Sequence, residues 1–142
     1  MDERVHFASL LFASNMGILS RREVVQAADQ RIVEAEKPDS WLIEVSVEGD
    51  SSELEDMIVM ADERVYTEAL RLAYRAWAEG RISDTKFSAC CSTLWKQAGT
   101  HTKWYTDLVW IDDEFDLVDQ GVSRRKQSVA RIKVAIEKIL QR

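Results

Sequence analysis

Apolar positions recur along this chain at intervals of three and four, with short polar or glycine-containing breaks between them, which is the period of helices. Val5, Ala8, Leu11 and Phe12 share one side of a helix predicted from about Glu3 to Asn15, with Asp2 as N-cap and Gly17 as a left-handed stop. Ser20-Arg21-Arg22-Glu23 reads as a capping box, and Leu19 and Val24 flank it as a hydrophobic staple. Val25, Ala28, Ile32 and Ala35 continue a buried stripe from there. Gly80-Arg81-Ile82-Ser83 repeats the same grammar 63 residues later, with Ile82 placed to staple onto Phe87 and Ser83 as the next cap. Shared capping chemistry explains this repeat better than an internal duplication does.

Pro38 to Gly49 carries two patterns. Ile43, Val45 and Val47 alternate with Glu44, Ser46 and Glu48 as in a strand, while Trp41, Leu42 and Val45 form one helical face with Pro38 at a tolerated first-turn position. A strand needs a partner, and the only other β-like run is Leu108 to Ile111, so a short helix is the expectation. Ser52 and Glu55 open a further capping box, and apolar positions then run to Glu79. Leu54, Ile58, Ala61, Val65, Ala69, Leu72 and Ala76 form one stripe; Tyr66, Leu70, Ala73 and Trp77 form a second. Two stripes predict a long central helix buried from two sides, with Asp62 as the point where it can break.

Phe87, Cys91, Leu94, Trp95 and Ala98 define the next helix, ended by Gly99. Trp104, Leu108, Ile111, Phe115 and Val118 define another, ending at Gly121. Ser123 is the expected cap of the last, in which Val129, Ile132, Ala135, Ile136 and Ile139 face inward. The predicted fold is all-α: a compact bundle of six or seven antiparallel helices with a long central one, in a single domain over residues 1–142. One proline and five glycines argue against a many-turned β-sandwich or barrel.

Composition narrows the classes further. With 46% hydrophobic and 31% charged residues, the chain has too much apolar content for disorder, and charges interrupt each run before it reaches bilayer length. Met1-Asp2-Glu3-Arg4 lacks the positive lead of a signal peptide, so a cytoplasmic protein is expected. Cys90 and Cys91 are adjacent, match no CxxC spacing, and read as small buried thiols.

Charge is divided unevenly. Residues 1–71 hold 16 acids and 7 bases, whereas residues 72–142 hold 9 acids and 12 bases. Glu34 to Glu63 contains eleven acids against the single base Lys37, and Val122 to Arg142 contains seven bases against the single acid Glu137. Such blocks are complementary surfaces within one fold or docking surfaces for something outside it.

Catalytic signatures are missing from the sequence: no HExxH, glycine-rich phosphate loop or G-x-S-x-G occurs. Cys90 or Cys91 could pair with His101 only if the Gly99-Thr100 turn brought them together, and nothing in the spacing does so. Asp112-Asp113-Glu114-Phe115-Asp116, with Asp119 beyond, lacks the ligand alternation and central glycine of a calcium loop. It reads as a solvated face or as an anionic patch for a protein partner. No cofactor or metal site is expected.

Arg124, Arg125 and Lys126 stand at a helix N-terminus, where cations oppose the helix dipole. Either the acids at Asp112–Asp119 fold back to compensate them, or they form a phosphate-binding site that Arg131, Lys133 and Lys138 extend. A net charge of −6 and the lack of a helix-turn-helix or RRM pattern count against nucleic acid. Of five tryptophans, Trp77, Trp95 and Trp104 lie on core stripes, while Trp110 and Trp41 neighbour acidic segments and are candidate interface anchors, with core packing as the competing reading.

The stretch Gly17-Ile18-Leu19-Ser20, then Ala28-Asp29, then Pro38-Asp39-Ser40-Trp41-Leu42-Ile43-Glu44-Val45-Ser46 resembles a pattern in small bacterial helical proteins, some of which resemble the immunity partners of polymorphic toxins. The resemblance covers about a fifth of the chain. It implies a short helix at Pro38–Ser46 and a binding role over catalysis. The leading expectation is a non-catalytic interaction protein engaging a basic partner through acidic surface, either Glu34–Glu63 or Trp110 with Asp112, Asp113, Glu114 and Asp116. The alternative is a phosphate- or nucleic-acid-binding module built on Arg124, Arg125 and Lys126. A small enzyme whose residues converge only in three dimensions is a third. A homo-oligomer is compatible with each.

Overall fold

The computed structural model describes residues 2–99 and 104–141. These residues form eight helices and no strand: α1 (Glu3–Asn15), α2 (Arg21–Glu34), α3 (Ser40–Glu48), α4 (Ser52–Val59), α5 (Glu63–Ala78), α6 (Asp84–Ala98), α7 (Tyr105–Asp119) and α8 (Arg125–Leu140). The all-α expectation holds. The segment Ser40–Glu48 is helical, as expected, and the count exceeds seven because the expected central helix is two helices. Contacts gather the chain into two compact units, residues 1–69 and 70–142, with α5 running from one into the other.

Helix ends explain the segmentation. After α1, the Gly17 N–H donates to the Ser14 carbonyl at 3.0 Å and the Ile18 N–H to that of Ala13 at 2.9 Å. The same pair of bonds closes α5 at Gly80 and Arg81, and α7 at Gly121 and Val122. It satisfies carbonyls that the last turn leaves without helical partners, and it places one residue in the left-handed region. The break in the expected central helix is a fourth copy: Ala61 N–H donates to Ile58 and Asp62 N–H to Met57, each at 3.1 Å. Here an alanine holds the left-handed position, at φ 54°.

Tyr66 anchors that turn. Its hydroxyl donates to the Ile58 carbonyl at 3.0 Å, the same oxygen that receives the Ala61 N–H. Its ring lies 4.7 Å from Phe12, and burial raises its phenol pKa. Asp62 opens α5 by accepting the Arg64 N–H at 3.0 Å and pairs with the Arg64 guanidinium at 2.9 Å, which lowers its carboxyl pKa.

In the first unit, α1 buries Val5, Phe7, Ala8, Leu11 and Phe12, while Val24 and Ala28 of α2 and Leu54 and Ile58 of α4 are also buried. Ser9, fully buried, donates to the Val5 carbonyl at 2.6 Å, so its hydroxyl is not left unsatisfied. The Ser20–Glu23 capping box forms as expected. That at Ser52–Glu55 does not. Ser51 holds the N-cap position with no side-chain hydrogen bond, its own N–H bonds the Asp50 carboxylate at 2.6 Å, and the Glu55 carboxyl turns toward Asp50 and Asn15 instead.

α3 ends at Gly49, whose φ of 75° is left-handed. A Cβ there would sit 3.2 Å from Arg21 Cγ. Arg21 is fixed against this turn by donating to the Gly49 carbonyl at 2.7 Å and to the Asn15 side chain at 2.8 Å.

In the second unit, Trp77 of α5 stacks on Phe87 of α6 with ring centroids 4.5 Å apart and planes within 4°. Phe115 of α7 meets both rings edge-on, at 5.7 Å from Trp77 and 6.1 Å from Phe87. Ser83 caps α6 through the Lys86 N–H, as expected. At α8 the expected cap fails: Arg124, not Ser123, is the N-cap, and no side chain bonds the first turn.

Relieving the left-handed alanine provides a test of how the α4–α5 break is held. Ala61→Gly is expected to raise stability by about 0.5–1 kcal/mol, and Gly49→Ala to lower it by about 1–2 kcal/mol. Both are read as shifts of the urea midpoint at unchanged m-value. A loss of stability in Ala61→Gly would show that its buried methyl outweighs the backbone strain.

Candidate functional site

α7 sorts its acids by direction. Leu108, Ile111 and Phe115 are buried along its inner face. Asp112, beside that face, accepts from the Ser88 hydroxyl and the Trp95 indole N–H of α6, each at 3.2 Å. Glu114 is buried and pairs with Arg131 of α8 at 3.1 Å. Two of the four acids assigned to the anionic patch thus bond side chains of neighbouring helices.

Asp113 and Asp116 remain exposed, as does Asp119. With Trp110, which keeps 40% of its surface accessible, they repeat every third residue. Each step of three turns the direction back by about 60°, so Trp110, Asp113 and Asp116 share one side of α7, while Asp119 points about 180° from Trp110. No base stands in the last turn of α7, so Asp116 and Asp119 add to the negative end of the helix dipole. The placement is unfavourable locally and concentrates negative potential at this end.

The basic cluster is broken up. Arg125 reaches Asp84, the first residue of α6, with its Nη2 3.0 Å from Oδ1 and its Nε on Oδ2. Asp84 also accepts the Trp77 indole N–H at 2.9 Å. The Arg125 hydrogen bond is the main reason its carboxyl pKa lies below the usual value, with the Trp77 bond adding to it. Of the cations that Asp112–Asp119 was expected either to compensate or to leave as a phosphate site, Arg125 is served by Asp84 instead, while Glu114 of that acidic run serves Arg131 further along α8. Lys133 sits over the Trp77 ring at 5.5 Å. Arg124 and Lys126 are exposed, and neither joins an ion pair among the described residues.

Trp41 is not at the surface. It is 3% accessible, lies 5.6 Å from the Phe7 ring, and its indole N–H is buried without a partner. The Glu34–Glu63 block is partly consumed within its unit, where Glu53 pairs with Arg4 at 2.7 Å and Asp50 lies 3.9 Å from Arg21. Burial, followed by the neighbouring Asp50 charge, raises the Glu55 carboxyl pKa.

Cys90 and Cys91 are buried, and burial raises both thiol pKa values, Cys91 strongly. Burial thus disfavours the thiolate form at both positions. The suggested partner His101 lies outside the described residues. Among the described residues no group of three or more His, Cys, Asp or Glu is placed to hold a metal ion. No helix is long and apolar enough to cross a membrane.

Open grooves mark the second unit. One, of about 520 Å³, runs between α7 and α8 and is lined by Asp107, Trp110, Arg131, Val134 and Lys138, among others. Another, of about 420 Å³, includes Arg71, Tyr74, Arg75 and Glu137. Tyr74 donates to Glu137 at 2.9 Å, and burial with this bond pushes its phenol pKa up to about 12. Sequence reasoning missed Asp84, Val134 and Glu137. Only the position of Asp84 directly after the Ser83 cap offered a signal, because acids favour a first turn.

Asp112→Ala should cost about 1–3 kcal/mol, since it strips the acceptor from two donors, whereas Asp113→Ala should stay within about 0.5 kcal/mol. Equal losses in urea unfolding would contradict the division of α7 into inner and outer acids. Asp84 gives a pH test. Its folded pKa lies below the ordinary 3.8, so its contribution is complete above that value and is lost as pH falls through the folded pKa. Arg125→Gln should move the carboxyl's titration upward and shift acid unfolding to higher pH, as read by NMR titration and thermal melts between about pH 2 and pH 5.

Comparison of the chain with protein-family models, curated proteins and solved structures finds no match.

Proposed function

We propose that this chain is a non-catalytic interaction protein, of the kind an immunity-like antidote represents, that engages a basic partner through the outer face of α7. The observation that carries this reading is the exposed set Trp110, Asp113 and Asp116 on one side of α7, left outward after Asp112 and Glu114 are taken up internally. An aromatic anchor beside unpaired carboxylates supplies contact area and steering together. The net charge of −6 extends the attraction toward a basic protein beyond contact range. Two free buried thiols fit a reducing, cytoplasmic setting. The alternative, phosphate binding at the start of α8, is weakened by the commitment of Arg125 to Asp84.

The test uses the full chain and an Asp113→Lys/Asp116→Lys variant as baits in lysate of the source organism, with retained species weighed by native mass spectrometry. A stoichiometric basic protein is expected on the wild-type bait. Its association with the variant should be slower by about tenfold or more at low salt, with the gap closing at high salt. Equal retention on both baits would overturn the α7 reading. So would capture of nucleic acid or a phosphorylated ligand that is lost on Arg124→Gln/Lys126→Gln, which would move the function to α8.

A further inference from the structure

The joint between α4 and α5 is made without a helix breaker. Glycine at positive φ stands past the ends of α1, α3, α5, α6 and α7, whereas residues 52–79 contain neither glycine nor proline. Ala61 takes the left-handed place at φ 54°, although alanine is the strongest helix former. The apolar stripe through Leu54, Ile58, Ala61, Val65 and Ala69 crosses the joint at unbroken helical spacing. Local preference across residues 52–78 is thus for one continuous helix.

The hydrogen bonds of the joint can change partners without loss. In the bend the Ala61 N–H donates to Ile58 and the Asp62 N–H to Met57. A continuous helix joins the same two donors to the same two acceptors, Ala61 to Met57 and Asp62 to Ile58. It also brings the N–H groups of Glu63, Arg64 and Val65 to the carbonyls of Val59, Met60 and Ala61, at the loss of the Asp62 cap on the Arg64 N–H. What opposes straightening is tertiary. Phe12 packs against Tyr66, the Tyr66 hydroxyl donates to Ile58, and the Ser9 hydroxyl lies 3.4 Å from the Val65 carbonyl. Val65, Tyr66 and Ala69 are almost wholly buried, so a copy that straightened alone would bare them.

We infer that α4 and α5 straighten into one helix in a domain-swapped dimer, in which residues 2–59 of each copy pack on residues 63–69 of the other. A second copy offers the same surface that straightening uncovers, so the contacts of Phe12 and Ser9 are regained across the dimer. The left-handed alanine is relieved at both hinges. Short hinges under strain favour this kind of exchange. Val59 and Met60, 77% and 79% exposed at the bend, then lie where the two straightened helices pass and cover one another. The occupant is a second copy of this chain because only it carries the matching half of the same core. The exposed side of α7 takes no part in the exchange.

Refolding of the full chain from urea at about 0.5 mM and at about 5 μM, followed by sedimentation, tests it. The concentrated sample should yield a species of twice the 16.3 kDa monomer mass, and the dilute one monomer. In the dimer the Glu63 and Arg64 amides should exchange hydrogen more slowly than in the monomer, because they become the interior of a helix. Ala61→Gly should lower the dimerisation constant by about tenfold or more, since glycine eases the left-handed turn and weakens the straight helix at each of two hinges. Asp62→Ala, checked for intact thermal unfolding, should raise it by removing the cap that opens α5. Monomer alone after refolding at about 0.5 mM would overturn the inference. So would a dimer that either variant leaves unchanged, or one in which the Glu63 and Arg64 amides exchange as in the monomer. None of these failures bears on the capture of a basic partner through α7.

Discussion

Everything in this chain depends on how its helices are ended. With one proline and five glycines to divide 142 residues, α1, α4, α5 and α7 all end on one device, a left-handed residue whose N–H and that of its successor return to carbonyls of the last turn. Gly17, Gly80 and Gly121 use it without steric cost. Ala61 uses it against its own preference, and the Tyr66 hydroxyl on the Ile58 carbonyl helps hold the turn. The break has a structural return. α4 packs along α1 through Leu54 and Ile58, while Val65 and Tyr66 enter the same core from the start of α5. An uninterrupted helix would carry one of these pairs away from α1.

Once the helix ends are fixed, the carboxylates are sorted by which donors come within reach. Indole N–H groups are decisive in the second unit: Trp77 takes Asp84 and Trp95 takes Asp112. Each indole buries its ring and turns its one polar atom to a carboxylate that is also bonded elsewhere, by Arg125 in one case and Ser88 in the other. Asp84 thereby ties α5, α6 and α8 with one side chain, and Asp112 ties α7 to α6 at two points. What remains outward is the exposed side of α7 at Trp110, Asp113 and Asp116, on which the proposed function is built.

The exposed side of α7 is charged with one aromatic end, suited to steering a basic partner from a distance. Trp110 borders both that side and the α7–α8 groove, so occupation of one can affect access to the other.

The sequence alone determined what depends on neighbours within a few residues. Helical class, the stripe through Leu108, Ile111 and Phe115, the capping box at Ser20–Glu23 and the cap at Ser83 were legible because periodicity and capping act over three or four positions. The helical reading of Ser40–Glu48 followed from the same local logic, helped by Gly49 as a left-handed stop. What the sequence left open was which of several equivalent groups finds a partner. Asp112 and Asp113 are adjacent and chemically identical, yet one is bonded to α6 and the other is bare, because their side chains leave the helix about 100° apart and only one faces Ser88 and Trp95. Arg125 bypassed the nearby α7 acids for Asp84, 41 residues away in sequence, and Trp41 went inside against Phe7. Those outcomes belong to the tertiary structure, because burial and ion pairing are decided by side chains that chain folding brings from distant segments.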